Sequence, residues 1–253
     1  MQLNGKLAVI TGGGRGIGRA MALAFAQKGA NIAALDLNPA DLANTIELCA
    51  AEGVRAAAYA CNVAQEDAVV TTLDKIIADF GRLDVMANNA GITKDGLLVK
   101  CQDGKVIAKM SVQQWQAVID VNLTGVFLGA REAAARMIEL GNGGVIINTS
   151  SISRVGNIGQ SNYSAAKAGV VAMTTVWAKE LARYGIRVGA IAPGFTRTEI
   201  LHAMKPEMID RMTAAVPLKR MAEPAEMAHA AIFIAENDYF SGRVIEVDGA
   251  QRL

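Results

Sequence analysis

The sequence predicts an α/β domain built around a parallel sheet, and two observations carry that expectation. Short apolar runs alternate with segments of helical period along the whole chain, the pattern of strands joined by right-handed helical crossovers. The first run also opens through closely spaced glycines into an alanine-rich helix, and a carboxylate closes the next run. Of 253 residues, 52% are hydrophobic and 19% charged, enough apolar surface for a large core, so one domain spanning 1–253 is expected. Net charge is +1, so no basic excess points to nucleic acid or to an anionic membrane surface, and a small-molecule ligand is the default. Cys49, Cys61 and Cys101 are odd in number and widely spaced, which disfavours a disulfide framework or a zinc site and fits reduced thiols in a cytoplasmic protein. No basic-then-apolar leader precedes Leu7, and apolar runs stop well short of about 18 residues, so neither secretion nor a membrane span is expected.

Taken in order, residues 7–10 form a short apolar run of the kind buried on both faces of a sheet. Gly12-Gly13-Gly14-Arg15-Gly16-Ile17-Gly18 then turns the chain into a helix over 20–28. Glycines allow a tight turn and close backbone approach, and the helix N-terminus offers free N–H groups to a pyrophosphate. Asp36 closes the second strand, 32–36, where a carboxylate can bond both hydroxyls of a ribose and would repel a 2′-phosphate. That favours NAD as the cofactor, while Arg15 inside the glycine loop keeps NADP within reach.

A second helix is expected over 39–52, a strand over 54–61, a helix over 66–80 and a fourth strand over 83–87. Asn88-Asn89-Ala90-Gly91 follows at a carboxyl strand end, where open α/β sheets bind ligands. Residues 94–110 lose helical period, and Asp103-Gly104 between 99–101 and 106–107 reads as a hairpin turn. Residues 111–140 read as one long helix with Asn122 embedded in its buried stretch, and a buried asparagine needs partners. The strand over 145–150 brings Ser150 to its carboxyl end. A helix over 160–184 places Tyr163 and Lys167 one turn apart on one face, an ammonium beside a phenol. Such a charge is expected to lower the tyrosine pKa and make a proton donor for carbonyl chemistry. A strand over 186–192 ends in Pro193-Gly194, and the loose segment 195–217, with Met204, Met208 and Met212, suits a mobile substrate lid. A helix over 224–236 and a strand over 244–247 complete the chain, while His202 and His229 are isolated and no metal is expected.

The ordered set Thr11-Gly12-x-x-x-Gly16-x-Gly18, Asn88-Asn89-Ala90-Gly91, Asn122, Ser150, Tyr163-x-x-x-Lys167 and Pro193-Gly194 closely resembles the short-chain dehydrogenase/reductase family over essentially the whole chain. That resemblance implies a Rossmann-type three-layer αβα sandwich with seven parallel strands in the order 3-2-1-4-5-6-7, and a homotetramer. It implies Tyr163 as general acid/base, Ser150 holding the substrate oxygen, Lys167 binding the nicotinamide ribose and lowering the tyrosine pKa, and Asn122 holding a relay water. The implied cofactor contacts run through Thr11, Gly12, Arg15, Gly16, Ile17, Gly18, Asp36, Asn89, Ala90, Gly91, Pro193, Gly194 and Thr196. Two departures stand out. Cys61-Asn62-Val63 carries a neutral residue where the family usually has an aspartate at the adenine contact. The closest look-alikes, 3-oxoacyl thioester reductases, use basic residues before the fifth strand to receive an acyl carrier, and here that segment is Gly141-Asn142-Gly143-Gly144. The leading reading is therefore an NAD(P)-dependent oxidoreductase of a ketone or secondary alcohol, with a 3-oxoacyl thioester as first substrate class. A free secondary alcohol or sugar is the alternative, and a non-catalytic dinucleotide sensor comes third.

Overall fold

The computed structural model describes residues 1–199 and 206–252. Its centre is β1 (Leu7–Thr11), buried along its whole length, with Leu7 and Val9 facing one side of the sheet and Ala8 and Ile10 the other. Around it lie β2 (Asn31–Asp36), β3 (Ala56–Ala60), β4 (Val85–Asn88), β7 (Gly144–Thr149), β8 (Ile186–Pro193) and β9 (Val244–Val247). All pair in parallel, in the order β3-β2-β1-β4-β7-β8-β9. That is the expected 3-2-1-4-5-6-7 once the separate hairpin strands β5 (Val99–Gln102) and β6 (Lys105–Lys109) are left out of the count.

Helices cover both faces, because strands buried on two sides need two apolar layers. On one face α1 (Gly16–Gln27) and α8 (Pro224–Glu236) pack on Ala8, Ile10, Ile32 and Val145, with α2 (Ala43–Ala51) contributing Cys49. On the other, α3 (Glu66–Phe80), α5 (Gly125–Leu140) and α6 (Ser161–Leu181) pack on Leu7, Val9, Met86 and Val188. Among the described residues no helix is long and apolar enough to cross a membrane.

Several expected elements take a different form. The strand over 54–61 shortens to Ala56–Ala60, and the helix over 39–52 starts as a 3-10 turn, Pro39–Leu42, capped by the Asn38 side chain. The helix over 160–184 tightens into a 3-10 turn at Ala182–Tyr184. The single helix over 111–140 is α4 (Val112–Ile119), a wide π turn at Asp120–Thr124, then α5. Ser111 and Gln114 start it with a reciprocal capping box. The π turn is centred on Asn122, and such widened turns are frequent at functional sites. The hairpin is present as expected, turning at Asp103 (φ 50°) and Gly104 (φ 74°), and all of its strand residues are exposed. Of the segment expected as a lid, Pro206–Ala215 is a helix, α7, that buries none of its residues. Met204 and His202 lie outside the described residues.

Candidate active site

The carboxyl ends of β1, β4 and β7 meet at one cleft, and a polar lattice holds them in register. The Thr11 hydroxyl donates to Ala87 O (3.3 Å) and accepts from the N–H groups of Asn89 (2.9 Å) and Ala90 (3.1 Å). Asn89 Nδ2 donates back to Thr11 O at 3.2 Å. Beneath them the buried side chains run Asn88 Nδ2 to Asn148 Oδ1 (3.0 Å), Asn148 Nδ2 to Thr174 Oγ1 (3.0 Å), tying β4 to β7 and α6. Buried amides satisfied in this way fix one arrangement of the cleft floor.

The glycine-rich turn forms the cleft's anion end. A Cβ on Gly12 would come within 2.9 Å of Ala90 Cα, so the backbones approach as only glycine allows. The first turn of α1 has no side-chain cap and no acidic residue, which leaves the N–H groups at Gly16, Ile17 and Gly18 for an anionic group. Asp36 sits at the end of β2, its carboxylate accepting from Gly14 N (3.1 Å) and Leu37 N (2.8 Å) with further lone pairs available. Arg15 is exposed beside it. Asn62 and Val63 follow β3 next to Asp36, whose carbonyl accepts from Cys61 N at 2.9 Å. These features fit a dinucleotide: a pyrophosphate cradle followed by a ribose-binding carboxylate.

Gly91, Asn122, Lys167 and Tyr163 define the other end. Asn122 is fully buried and pairs twice with the backbone of Ile92, accepting its N–H and donating to its carbonyl, both at 2.9 Å. A Cβ placed on Gly91 would lie 3.6 Å from Asn122 Oδ1 and 3.7 Å from Lys167 Nζ, so these side chains converge there. Lys167 is 2% exposed and donates to Thr149 O at 2.7 Å, and burial pulls its pKa down to about 8. Its Nζ stands 5.5 Å from the centroid of the Tyr163 ring. The expected lowering of the tyrosine pKa is not what this environment produces. Burial pushes the phenol up, Asp95 adds to that, and hydrogen bonding with the Ser151 side chain pulls it partly back. The ammonium that was to lower it is itself desolvated and turned to the Thr149 carbonyl.

The serine facing the phenol also differs from expectation. Ser150 is 1% exposed, and its hydroxyl donates to the Lys167 backbone carbonyl at 2.8 Å, which directs it into the base of α6. Its neighbour Ser151 points the opposite way, as alternate residues leaving a strand do. Ser151 Oγ accepts from Ser153 N at 3.1 Å, capping a 3-10 turn, and its side chain hydrogen-bonds the Tyr163 phenol. Thr198, on the segment after β8, also lies against the glycine loop. Pro193 and Gly194 end β8 as expected, with Gly194 N bonded to Val247 O at 2.9 Å. The Thr196 hydroxyl is taken up by Gly194 O (3.1 Å), while the Thr198 methyl lies 3.2 Å from where a Gly16 Cβ would stand. Among the described residues no group of three or more His, Cys, Asp or Glu could hold a metal ion, and His229 is exposed on α8.

Sheet order, glycine cradle and the tyrosine–lysine pair together define a nicotinamide-dependent oxidoreductase of Rossmann type. Residues 6–209 match the short chain dehydrogenase family, and the chain belongs to it. It is 40% identical over 253 residues to the 3-oxoacyl-[acyl-carrier-protein] reductase FabG of Thermotoga maritima, covering 98% of each chain. The fold is similar to a short-chain type dehydrogenase/reductase from Mycobacterium marinum, with TM-score 0.90, 34% identity, and 98% and 96% of the two chains covered. It is also similar to NAD+-bound xylitol dehydrogenase, with TM-score 0.89, 29% identity, and 99% and 100% covered. The protein is thus an NAD(P)-dependent enzyme interconverting a ketone and a secondary alcohol.

Proposed function

We propose that the protein reduces the ketone of a 3-oxoacyl thioester, with NADH as the preferred reductant. The observation that carries this is the convergence of Asn122 and Lys167 beside Gly91, with the Tyr163 ring 5.5 Å from Lys167 Nζ and Ser151 hydrogen-bonded to its phenol, flanked by an apolar approach: Val155 and Ile158, between Ser151 and Tyr163, are 69% and 89% exposed. Bound nicotinamide supplies the hydride. Ser151 donates a hydrogen bond to the substrate oxygen as charge develops there, and Tyr163 delivers the proton. The Tyr163 phenol is protonated at neutral pH, the form the reductive direction needs. Lys167 binds the nicotinamide ribose, and Asn122 holds the turn beside it for a relay water. The segment 195–217 acts as the substrate cover, the assembly is a homotetramer and the enzyme works in the cytoplasm. A sugar or free secondary alcohol is the second reading, favoured by the likeness to xylitol dehydrogenase. Cofactor absorbance over a panel of 3-oxoacyl thioesters, free ketones and polyols, with each dinucleotide, separates the two. Turnover confined to polyols would overturn the first.

Asp36 carries the dinucleotide preference. Both its oxygens accept backbone N–H groups, so the carboxylate is held in place, whereas exposed Arg15 can swing aside. Like charges about 4 Å apart repel by about 4 kcal/mol at an effective dielectric of about 20, and less where water screens them. NAD(H) is expected to be favoured by at least about tenfold, and Asp36→Ala to weaken NAD and narrow or reverse the preference. Specificity constants for both dinucleotides in parent and variant check this, and a parent that favours NADPH contradicts it.

The lysine sets a pH limit. With its pKa near 8, Lys167 keeps the ammonium that a ribose diol needs only below that pH. Affinity for NADH is expected to be flat below pH 8 and to fall by about tenfold per unit above it, since binding then requires proton uptake. A Kd that stays constant to about pH 10 would contradict the ribose contact.

A further inference from the structure

We infer that Arg19 is a positioning residue for the dinucleotide: it turns the carbonyls of the glycine-rich loop away from the cleft and neutralises a carboxylate that would otherwise oppose the pyrophosphate. This rests on the nucleotide-binding reading of the cleft and goes beyond it. Arg19 is the fourth residue of α1, with its side chain only 28% exposed. Its three donating nitrogens take three different acceptors. Nη2 donates to Gly14 O, Nε to Thr45 Oγ1 at 3.2 Å, and Nη1 to Glu199 Oε1 at 3.2 Å. The fully buried Thr45 hydroxyl passes the contact on, donating to Gly13 O at 2.9 Å.

The consequence is electrostatic. Gly13 and Gly14 have no side chains to restrict them, and each could rotate its peptide so that a carbonyl faces the anion site. Their N–H groups are held by Leu35 O (3.0 Å) and Asp36 Oδ2 (3.1 Å), and their carbonyls by Thr45 and Arg19. Both carbonyls are therefore taken up by Thr45 and Arg19 and Gly14 N–H by the Asp36 carboxylate, and the free N–H groups at the start of α1 dominate the field at the anion end of the cleft.

Glu199 is the carboxylate that Arg19 neutralises. Its Oε2 lies 3.6 Å from the position a Gly16 Cβ would take, on the segment that crosses the loop with Thr198. An unpaired carboxylate there would repel a pyrophosphate at the same helix end, and Arg19 is its ion-pair partner. A guanidinium alone can bond a carbonyl, a hydroxyl and a carboxylate at once in a planar fork; a lysine ammonium cannot reach all three in that geometry.

The test is a suppressor experiment on the full-length protein, reading NADH affinity by fluorescence titration alongside thermal unfolding. Arg19→Met is expected to weaken NADH by at least about tenfold, the equivalent of one lost charge-assisted hydrogen bond. Adding Glu199→Gln to that variant is expected to recover at least about threefold, because the stranded charge is removed. Arg19→Lys should fall between parent and Arg19→Met. A residue that merely supports folding would lower the unfolding temperature but would not be rescued by neutralising Glu199. Arg19→Met binding within about twofold of parent, or no recovery in the double variant, overturns the inference. A parent that binds neither NADH nor NADPH overturns the nucleotide reading together with it.

Discussion

Tyr163→Phe is expected to lower turnover by about 10²–10⁴ at saturating substrate while leaving the affinity for NADH close to that of the parent. The substitution removes one oxygen and keeps the ring, which packs half-buried on α6 one turn from Lys167. Helix α6 is anchored around it. Asn162 is fully buried, donates to the carbonyls of Lys94 and Gln114 at 3.1 Å each, and accepts the N–H of Tyr163 itself at 2.8 Å. None of these contacts uses the phenol oxygen, so the variant should fold and hold the cofactor. What it loses is the phenol proton delivered as charge builds on the substrate oxygen; Ser151 can hydrogen-bond that oxygen, but its hydroxyl is too weak an acid to protonate it. Steady-state rates with NADH in both proteins decide the matter, and a variant retaining more than about a tenth of parental turnover would remove Tyr163 from the role.

How much of this was legible in the sequence depends on the range of the interaction concerned. The ends of the first, second and fourth strands, the glycine turn and the Asp103-Gly104 hairpin are written in local patterns of period and turn chemistry, and the structure places the strand ends, at Thr11, Asp36 and Asn88, within one residue of expectation. Asn122 was marked by its oddity, a polar side chain in an apolar stretch, and its two bonds to Ile92 supply the partners that oddity demanded. The π turn around it was not legible, because one extra residue per turn barely disturbs an apolar stripe. The direction of the tyrosine shift was missed for another reason. Spacing on a helix reports which groups are neighbours, but burial of Tyr163 and Lys167 is a property of everything packed over them, and desolvation outweighs a charge that is directed elsewhere. Arg19 was invisible on the same ground: two of its three acceptors, Thr45 and Glu199, lie 26 and 180 residues away.

The choice between adjacent serines yields the second large effect. Thr149-Ser150-Ser151 leaves β7 as three small hydroxyl residues, and a strand's period of two sends Ser150 and Ser151 to opposite sides. Counting alone cannot say which side faces the substrate; that is set by where α6 lies. Because α6 packs so that the Lys167 carbonyl meets Ser150 Oγ at 2.8 Å, the inner hydroxyl is a structural bond, and the outer one faces the phenol. Ser151→Ala is therefore expected to cost about 10²–10³ in turnover, the typical loss when one donor to a developing oxyanion is removed. Ser150→Ala removes a buried donor and leaves the Lys167 carbonyl short of a partner, an effect of about 1–3 kcal/mol on stability. Its turnover should fall far less, and the loss should show as a lower unfolding temperature. Comparing kcat and thermal unfolding for the two variants separates the roles. If Ser150→Ala proves the more damaging to kcat while Ser151→Ala stays within about tenfold of the parent, the substrate oxygen is held by the inner serine and the assignment made from this geometry is wrong.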